Sequence, residues 1–252
     1  MPETVFLDFS PIALATPPQK ETQVWVLDLS RITDIDSHPS FSVLAPSERE
    51  RAQRFKFPYL QDQHIITRLF LRLCLARYAD EEPQNLEFAA QPQGKPYITN
   101  SKLPLFFNLS HSGSFAVLAV SRTSEIGVDI ETIRKHDFWG IAERFFHPDE
   151  FAFLKTKNHV DSEKFFYQLW TLKEAFLKAL GLGIGAGLES INIDLSSNPL
   201  QFTLSDKLKT AINNWSLFHT QLSPDTFLAI AHQAPAATPL WLDAYALFSP
   251  EG

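Results

Sequence analysis

Apolar and polar positions along this chain follow two periods, and the switches between them mark out its elements. Val24, Trp25, Val26 and Leu27 form an unbroken apolar run that predicts a strand over 24–29. Ile65, Leu69, Leu73 and Ala76 recur at helical spacing and predict a helix over 61–79. Residues 106–110, 115–121 and 126–130 read as three strands separated by turns. A second long helix follows over 165–180, then strands over 191–195, 215–219 and 227–231. Pro46-Ser47-Glu48 starts a short charged helix ahead of the first long one, and Pro148-Asp149-Glu150 stands in the same place ahead of the second. This echo predicts an α+β chain of two similar halves joined near residues 115–130, with a ligand cleft at the junction. The expected boundaries are an N-terminal arm over 1–22, which holds four prolines, a first lobe over 23–118, and a second lobe over 119–252 that includes the C-terminal tail.

Composition narrows the function classes. A 252-residue chain with 44% hydrophobic residues can bury a full core. Its net charge of −7 argues against nucleic acid as a partner, because tracking phosphates needs clustered Lys and Arg. Cys74 is the one cysteine, so no internal disulfide forms and a reducing compartment fits. Glu3 stands where a signal peptide carries basic residues, and no apolar run spans a bilayer. The expectation is a cytoplasmic chain with no membrane partner. The 22 phenylalanines are an unusual number; some pack the core, and a few on the surface would make a protein-docking patch. Phe138-Trp139, Phe145-Phe146, Phe151 and Phe153, with Lys155 and Lys157, are the candidate, the alternative being core packing of the second lobe.

Three separated segments carry the candidate chemistry. Asp129 and Glu131 sit two apart on a predicted strand and so share a face. They are either a cation site or the solvated face of an edge strand, because paired buried carboxylates are costly without a counter-charge. Glu174 and Lys178 are one helical turn apart, which suits either a surface ion pair or a site. Lys173 points sideways from Glu174 and would serve a different phosphate. His111 follows an apolar strand among Asn108, Ser110 and Ser112, which makes either a structural strand end or a phosphate rim. Three carboxylates with lysines and an imidazole suit Mg²⁺ and phosphoryl chemistry. Gly181-Leu182-Gly183-Ile184-Gly185-Ala186-Gly187 follows a helix instead of joining a strand to one, which predicts a helix C-cap and loop.

Phe107-Asn108-Leu109-Ser110-His111-Ser112, Gly127-Val128-Asp129-Ile130-Glu131 and Trp170-x-x-Lys173-Glu174-Ala175-x-x-Lys178, with Gly94-Lys95-Pro96 upstream, stand in the order and spacing of a known family. The chain resembles the 4′-phosphopantetheinyl transferases of the two-lobed, surfactin-synthetase type, from roughly Pro46 to Gly187. The resemblance implies two pseudo-twofold-related α+β lobes with the active site in the cleft between them. It implies transfer of 4′-phosphopantetheine from coenzyme A to the serine of an apo acyl or peptidyl carrier protein, releasing adenosine 3′,5′-bisphosphate. The carriers would belong to fatty-acid, polyketide or nonribosomal-peptide synthesis, and the enzyme would be a monomer. By motif position Asp129, Glu131 and Glu174 would ligate Mg²⁺, or Mn²⁺ in its place. Glu174 and Lys178 would be catalytic, as proton acceptor and as stabiliser of the leaving phosphate. Arg51, Lys95, Pro96, Ser110, His111, Lys173 and Lys178 would bind coenzyme A, with Arg51 and His111 on its 3′-phosphate. Two departures stand out. The lysine that the related pattern carries three residues before Arg51 is Glu48 here, and an arginine before the first long helix has no counterpart around Gln63 to Ile65. Arg68 or Arg72 would then stand in. The rival readings are a metal-dependent phosphodiester hydrolase and a non-catalytic coenzyme A or carrier-protein-binding scaffold.

Overall fold

Each long helix is tied to the short helix before it by one buried carboxylate, and the chain does this twice. The computed structural model describes residues 22–32, 42–183, 187–206, 208, 214–234 and 238–248. The expected arm over 1–22 falls outside them except for Thr22. The described residues form two compact units.

The first unit takes in 22–90, 96–123 and 238–248 apart from residue 238, which belongs to the second. It contains β1 (Gln23–Asp28), α1 (Pro46–Gln53), α2 (Pro58–Ala79), β2 (Phe88–Ala90), β3 (Pro96–Ile98), β4 (Phe106–Ser112) and β5 (Phe115–Ser121). β5 lies between β1 and β4, antiparallel to both, with Trp25 opposite Leu118. β2 and β3 form a small antiparallel pair. The core gathers the apolar stripe of α2, including Leu69, Phe70 and Leu75, against Trp25, Leu27 and Leu118. Burying such side chains contributes about 1.5–3 kcal/mol each. Glu48, at the third position of α1, accepts from the Ala45 amide at 2.9 Å and from Arg72 Nε of α2 at 2.7 Å. Arg72 then donates to the carbonyls of Pro83 and Leu86 at 2.7 and 3.1 Å, pinning the segment ahead of β2.

The second unit takes in 91–95 and 124–238 where described. Its elements are β6 (Ile126–Thr132), α3 (Phe138–Phe145), α4 (Pro148–Lys155), α5 (His159–Ala179), β7 (Ile191–Asp194), β8 (Gln201–Leu204), β9 (Ser216–Ser223) and β10 (Thr226–His232). β10 lies between β6 and β9, antiparallel to both, with Asp129 opposite Ala229. β7 and β8 form the small pair. Glu150, third in α4, accepts from the His147 amide at 3.0 Å and pairs with Lys173 of α5 at 2.7 Å. Lys173 donates onward to the carbonyls of Leu188 and Ile191, pinning the segment ahead of β7. The two halves expected from the Pro-x-Glu echo are thus built on one plan: capped short helix, long helix with a buried cation, small hairpin, three-stranded sheet.

Two expectations change. The tail does not belong with the second half: β11 (Leu240–Asp243) pairs in parallel with β1 and extends the first unit's sheet. Its four residues are too short for a periodic signal. The phenylalanine-rich segment is core in part, with Trp139, Phe145, Phe151 and Phe153 half-buried. Phe138 and Phe146 are buried against Phe166, with centroids 5.6 and 5.2 Å away. Lys155 and Lys157 lie over the rings of Phe151 and Phe153. The glycine run begins as expected: Gly181, at φ +68°, ends α5, its amide bonding the Lys178 carbonyl while the Leu182 amide bonds that of Leu177. Residues 184–186 lie outside those described. Among the described residues no helix is long and apolar enough to cross a membrane.

Candidate active site

On β6, residues two apart share a face, so Gly127, Asp129 and Glu131 project together. α5 packs directly on this strand. Glycine permits it: a Cβ at 127 would stand 2.0 Å from the Ala175 carbonyl oxygen and 2.5 Å from the Ala179 amide nitrogen. The close approach carries Glu174 and Lys178, one turn apart on α5, over the carboxylates of β6. Lys178 Nζ donates to Asp129 Oδ1 at 2.6 Å.

The electrostatics are those of a crowded acid site. Asp129 is 3% exposed and Glu174 is 7% exposed, so both leave water. Glu174 Oε1 is buried without a hydrogen-bond partner. Burial, then repulsion from Asp129, pushes the Glu174 carboxyl up to about 7; Lys178 offsets part of this and half-buried Glu131 adds to it. Both bland alternatives fail here. β6 is an edge strand, but Asp129 is not solvated, and Lys178 bonds across to Asp129 instead of closing a surface pair with Glu174.

The donor set suits a hard divalent cation, since every candidate ligand is a carboxylate oxygen. Among the described residues no three His, Cys, Asp or Glu side chains stand close enough together to hold a metal ion as they are. The ammonium of Lys178 supplies the positive charge instead. The buried, unsatisfied Glu174 Oε1 and the mutual repulsion of the three acids fit a cation that would complete the set.

Two lysines expected at coenzyme A are spent inside the protein. An ammonium has three protons to donate. Lys173, 0% exposed, gives all three to Glu150, Leu188 and Ile191. It is a strut of the second unit, and its assignment to a phosphate is corrected accordingly. Lys95 donates to Glu125 Oε2 at 2.5 Å, the Ala179 carbonyl at 2.8 Å and the Ile126 carbonyl at 3.2 Å. It fastens its turn to the end of α5 and the start of β6, which leaves no proton for a ligand. Pro96 opens β3 opposite Ala90 and lacks an amide proton to offer.

Arg51 and His111 meet in the first unit. They line one cavity of about 540 Å³ together with Gln63, His64, Thr67 and Arg68. Leu109 and His111 of β4 face the cavity, whereas Ser110, one residue between, is buried on the other strand face. The structure therefore does not bring Ser110 to this cavity. Glu48, the first departure, is engaged inside the first unit. Its Oε1 accepts from Arg68 Nη2 and Nε at 2.6 and 2.8 Å, its Oε2 from Arg72. Burial raises the Glu48 carboxyl, but Arg68 and Arg72 more than offset it and hold it below the usual range. Arg72 is buried, directs Nε to Glu48 and Nη1 to the Pro83 and Leu86 carbonyls, and does not line the cavity, whereas Arg68 does. His64 has no metal-ligand spacing to other histidines in the sequence and Thr67 carries no motif, yet both line this cavity. The signal was their spacing, three apart on the helix that carries Arg68, four apart from His64.

Comparison with known proteins adds to this geometry. Residues 125–235 match the model of the 4′-phosphopantetheinyl transferase superfamily, and residues 34–123 match that of the 4′-phosphopantetheinyl transferase N-terminal region. A putative 4′-phosphopantetheinyl transferase of Synechocystis sp. is 36% identical over 208 residues, covering 81% of this chain and 82% of its own. The 4′-phosphopantetheinyl transferase HetI of Nostoc sp. is 37% identical over 212 residues, covering 81% and 84%. A 4′-phosphopantetheinyl transferase of Bacillus subtilis is 34% identical over 160 residues, covering 62% and 69%.

Proposed function

This chain belongs to the 4′-phosphopantetheinyl transferases, and on that premise we propose that it moves the phosphopantetheine of coenzyme A to a carrier-protein serine with Mg²⁺ at Asp129, Glu131 and Glu174. The observation that carries the metal assignment is the buried Glu174 oxygen without a partner, beside two further carboxylates. Bound there, Mg²⁺ would neutralise charge on the pyrophosphate of the co-substrate.

The chain's own residues have separate tasks. Glu174 accepts the proton of the serine hydroxyl as its oxygen attacks the β-phosphorus. The bond from that phosphorus to the bridging oxygen breaks, and adenosine 3′,5′-bisphosphate leaves. Lys178, which already donates to an acidic oxygen at this site, donates to the departing phosphate. Arg51 and His111, in the cavity of the first unit, take the 3′-phosphate. A single chain carries both residue sets, so it acts as a monomer. The acceptors are acyl or peptidyl carrier proteins.

The test is intact-mass spectrometry of an apo carrier protein incubated with this protein, coenzyme A and Mg²⁺, with and without EDTA. A gain of one phosphopantetheine that EDTA abolishes is the expected result. Loss of coenzyme A without any gain on the carrier identifies a hydrolase. No change across fatty-acid, polyketide and peptide carriers, despite coenzyme A binding, identifies a scaffold.

A further inference from the structure

The cavity beside α1 and α2 holds two polar atoms that have no hydrogen-bond partner among the described residues. Thr67 is 5% exposed, and its Oγ1 has no hydrogen-bond partner. His64 is half-buried, its ring packed on Phe55 with centroids 5.4 Å apart. The imidazole is hydrogen-bonded to the Glu48 backbone, while Nε2 is buried without a partner. Both residues line the cavity. A hydroxyl and a ring nitrogen buried unpaired have given up their hydrogen bonds to water and gained none in return, and a ligand group can restore them.

The chemistry of that group follows from the surroundings. Arg51 projects from α1, Arg68 from α2 itself and His111 from β4, while Glu48 of α1 is engaged by Arg68 and Arg72. A compact anion with several acceptor oxygens satisfies this set, with the guanidiniums of Arg51 and Arg68 on the same wall supplying positive charge. We infer that His64 and Thr67 are specificity-determining residues that donate to the terminal phosphomonoester of the co-substrate, filling the place of the missing lysine and arginine. This rests on the reading of the cavity as the seat of the coenzyme's 3′-phosphate.

A proton accompanies that contact. With one ring nitrogen engaged at the Glu48 backbone, Nε2 donates to an anion only in the imidazolium form. In the unliganded chain burial, then Arg68 and Arg51, hold the His64 ring below its ordinary range, against a smaller pull upward from Glu48. A dianionic phosphate reverses the balance, so binding takes up a proton near neutral pH.

Calorimetry of metal-free protein at pH 7.5, in buffers of different ionisation enthalpy, reads this directly with coenzyme A and with dephospho-coenzyme A as ligands. The wild-type chain is expected to take up protons with coenzyme A and not with the dephospho form. His64→Phe, which keeps a ring against Phe55, is expected to lose most of that uptake. Thr67→Val, which keeps the side-chain shape, is expected to weaken coenzyme A about tenfold and leave the dephospho form unchanged. Thermal melts of both variants verify folding, and Thr67→Val carries the test if His64→Phe does not fold. Undiminished proton uptake in His64→Phe, or equal losses for both ligands in Thr67→Val, overturns the inference. Equal affinity of the wild-type chain for the two ligands overturns the underlying reading of the cavity instead.

Discussion

The two units use one scaffold for opposite ends. Matching Arg72 of α2 to Lys173 of α5, the two buried cations, aligns Leu73 with Glu174, Arg77 with Lys178 and Tyr78 with Ala179. Matching β5 to β10 residue for residue aligns, through their registers, Gln23 with Gly127, Trp25 with Asp129 and Leu27 with Glu131. In the first unit the face of β1 toward the helix is therefore bulky. Tyr78 accepts from Trp25 Nε1 at 2.7 Å and donates to Gln23 Oε1, filling the helix–strand space with hydrogen-bonded side chains. In the second unit Gly127 and Ala179 remove that filling, the helix backbone descends onto the strand, and the vacated face carries acids. The lesson is that the scaffold is held by the capping Glu and its cation, while the strand face is open to become either core or site.

Breaking the shared strut should cost most, and should cost the second unit more, because Glu48 has a second cation in Arg68. Lys173→Met strips the buried Glu150 carboxylate of its cation and should lower stability by about 3–5 kcal/mol, whereas Arg72→Met leaves Glu48 paired with Arg68 and should cost less, both read by urea denaturation. Lys173→Met should leave KM for coenzyme A unchanged at a temperature where it stays folded. A raised KM with wild-type stability would restore the phosphate role for Lys173.

Changes at the differing face should separate the units. Asp129→Ala should lower Mg²⁺-supported transfer by about 10²–10³-fold, as loss of a charge-stabilising group does, with circular dichroism unchanged. Its counterpart Trp25→Phe should instead lower stability by about 1 kcal/mol through the lost bond to Tyr78, with transfer per folded molecule unchanged. Gly127→Ala should cost about 3 kcal/mol, at the upper end for overpacking because the obstruction is backbone. A Gly127→Ala chain with wild-type melting would mean that α5 does not rest on β6.

The acid site also has a pH signature. The Glu174 carboxyl, raised to about 7, favours folding in its neutral form. That contribution is complete below about 4.5, the ordinary carboxyl value, and is lost as pH rises through about 7. Mg²⁺ should compensate the ionised form, so its effect on Tm should be larger at pH 8 than at pH 5.5, by scanning fluorimetry. An equal effect at both pH values would detach Mg²⁺ from Glu174.

The sequence disclosed the plan because the plan is periodic. Long helices and alternating strands repeat apolar residues, and Pro-x-Glu marks both short helices. It disclosed Asp129, Glu131, Glu174 and Lys178 because β6 and α5 are regular, so period two and period 3.6 bring each pair to one face. The destinations of Lys95, Lys173 and Glu48 were not legible there. A lysine on a helix face reads the same whether it meets a phosphate or two carbonyls fifteen or more residues away, and tertiary packing alone decides. β11 was missed because its pairing is set by β1, more than two hundred residues earlier.

The most direct test of the acid face is electron paramagnetic resonance of Mn²⁺, as a Mg²⁺ stand-in, titrated into the protein with coenzyme A present. One Mn²⁺ immobilised per chain, and lost in Asp129→Ala but kept in Trp25→Phe, is the predicted result. Binding that persists in Asp129→Ala, or vanishes equally in both variants, would contradict the assignment of the cation to β6 and α5.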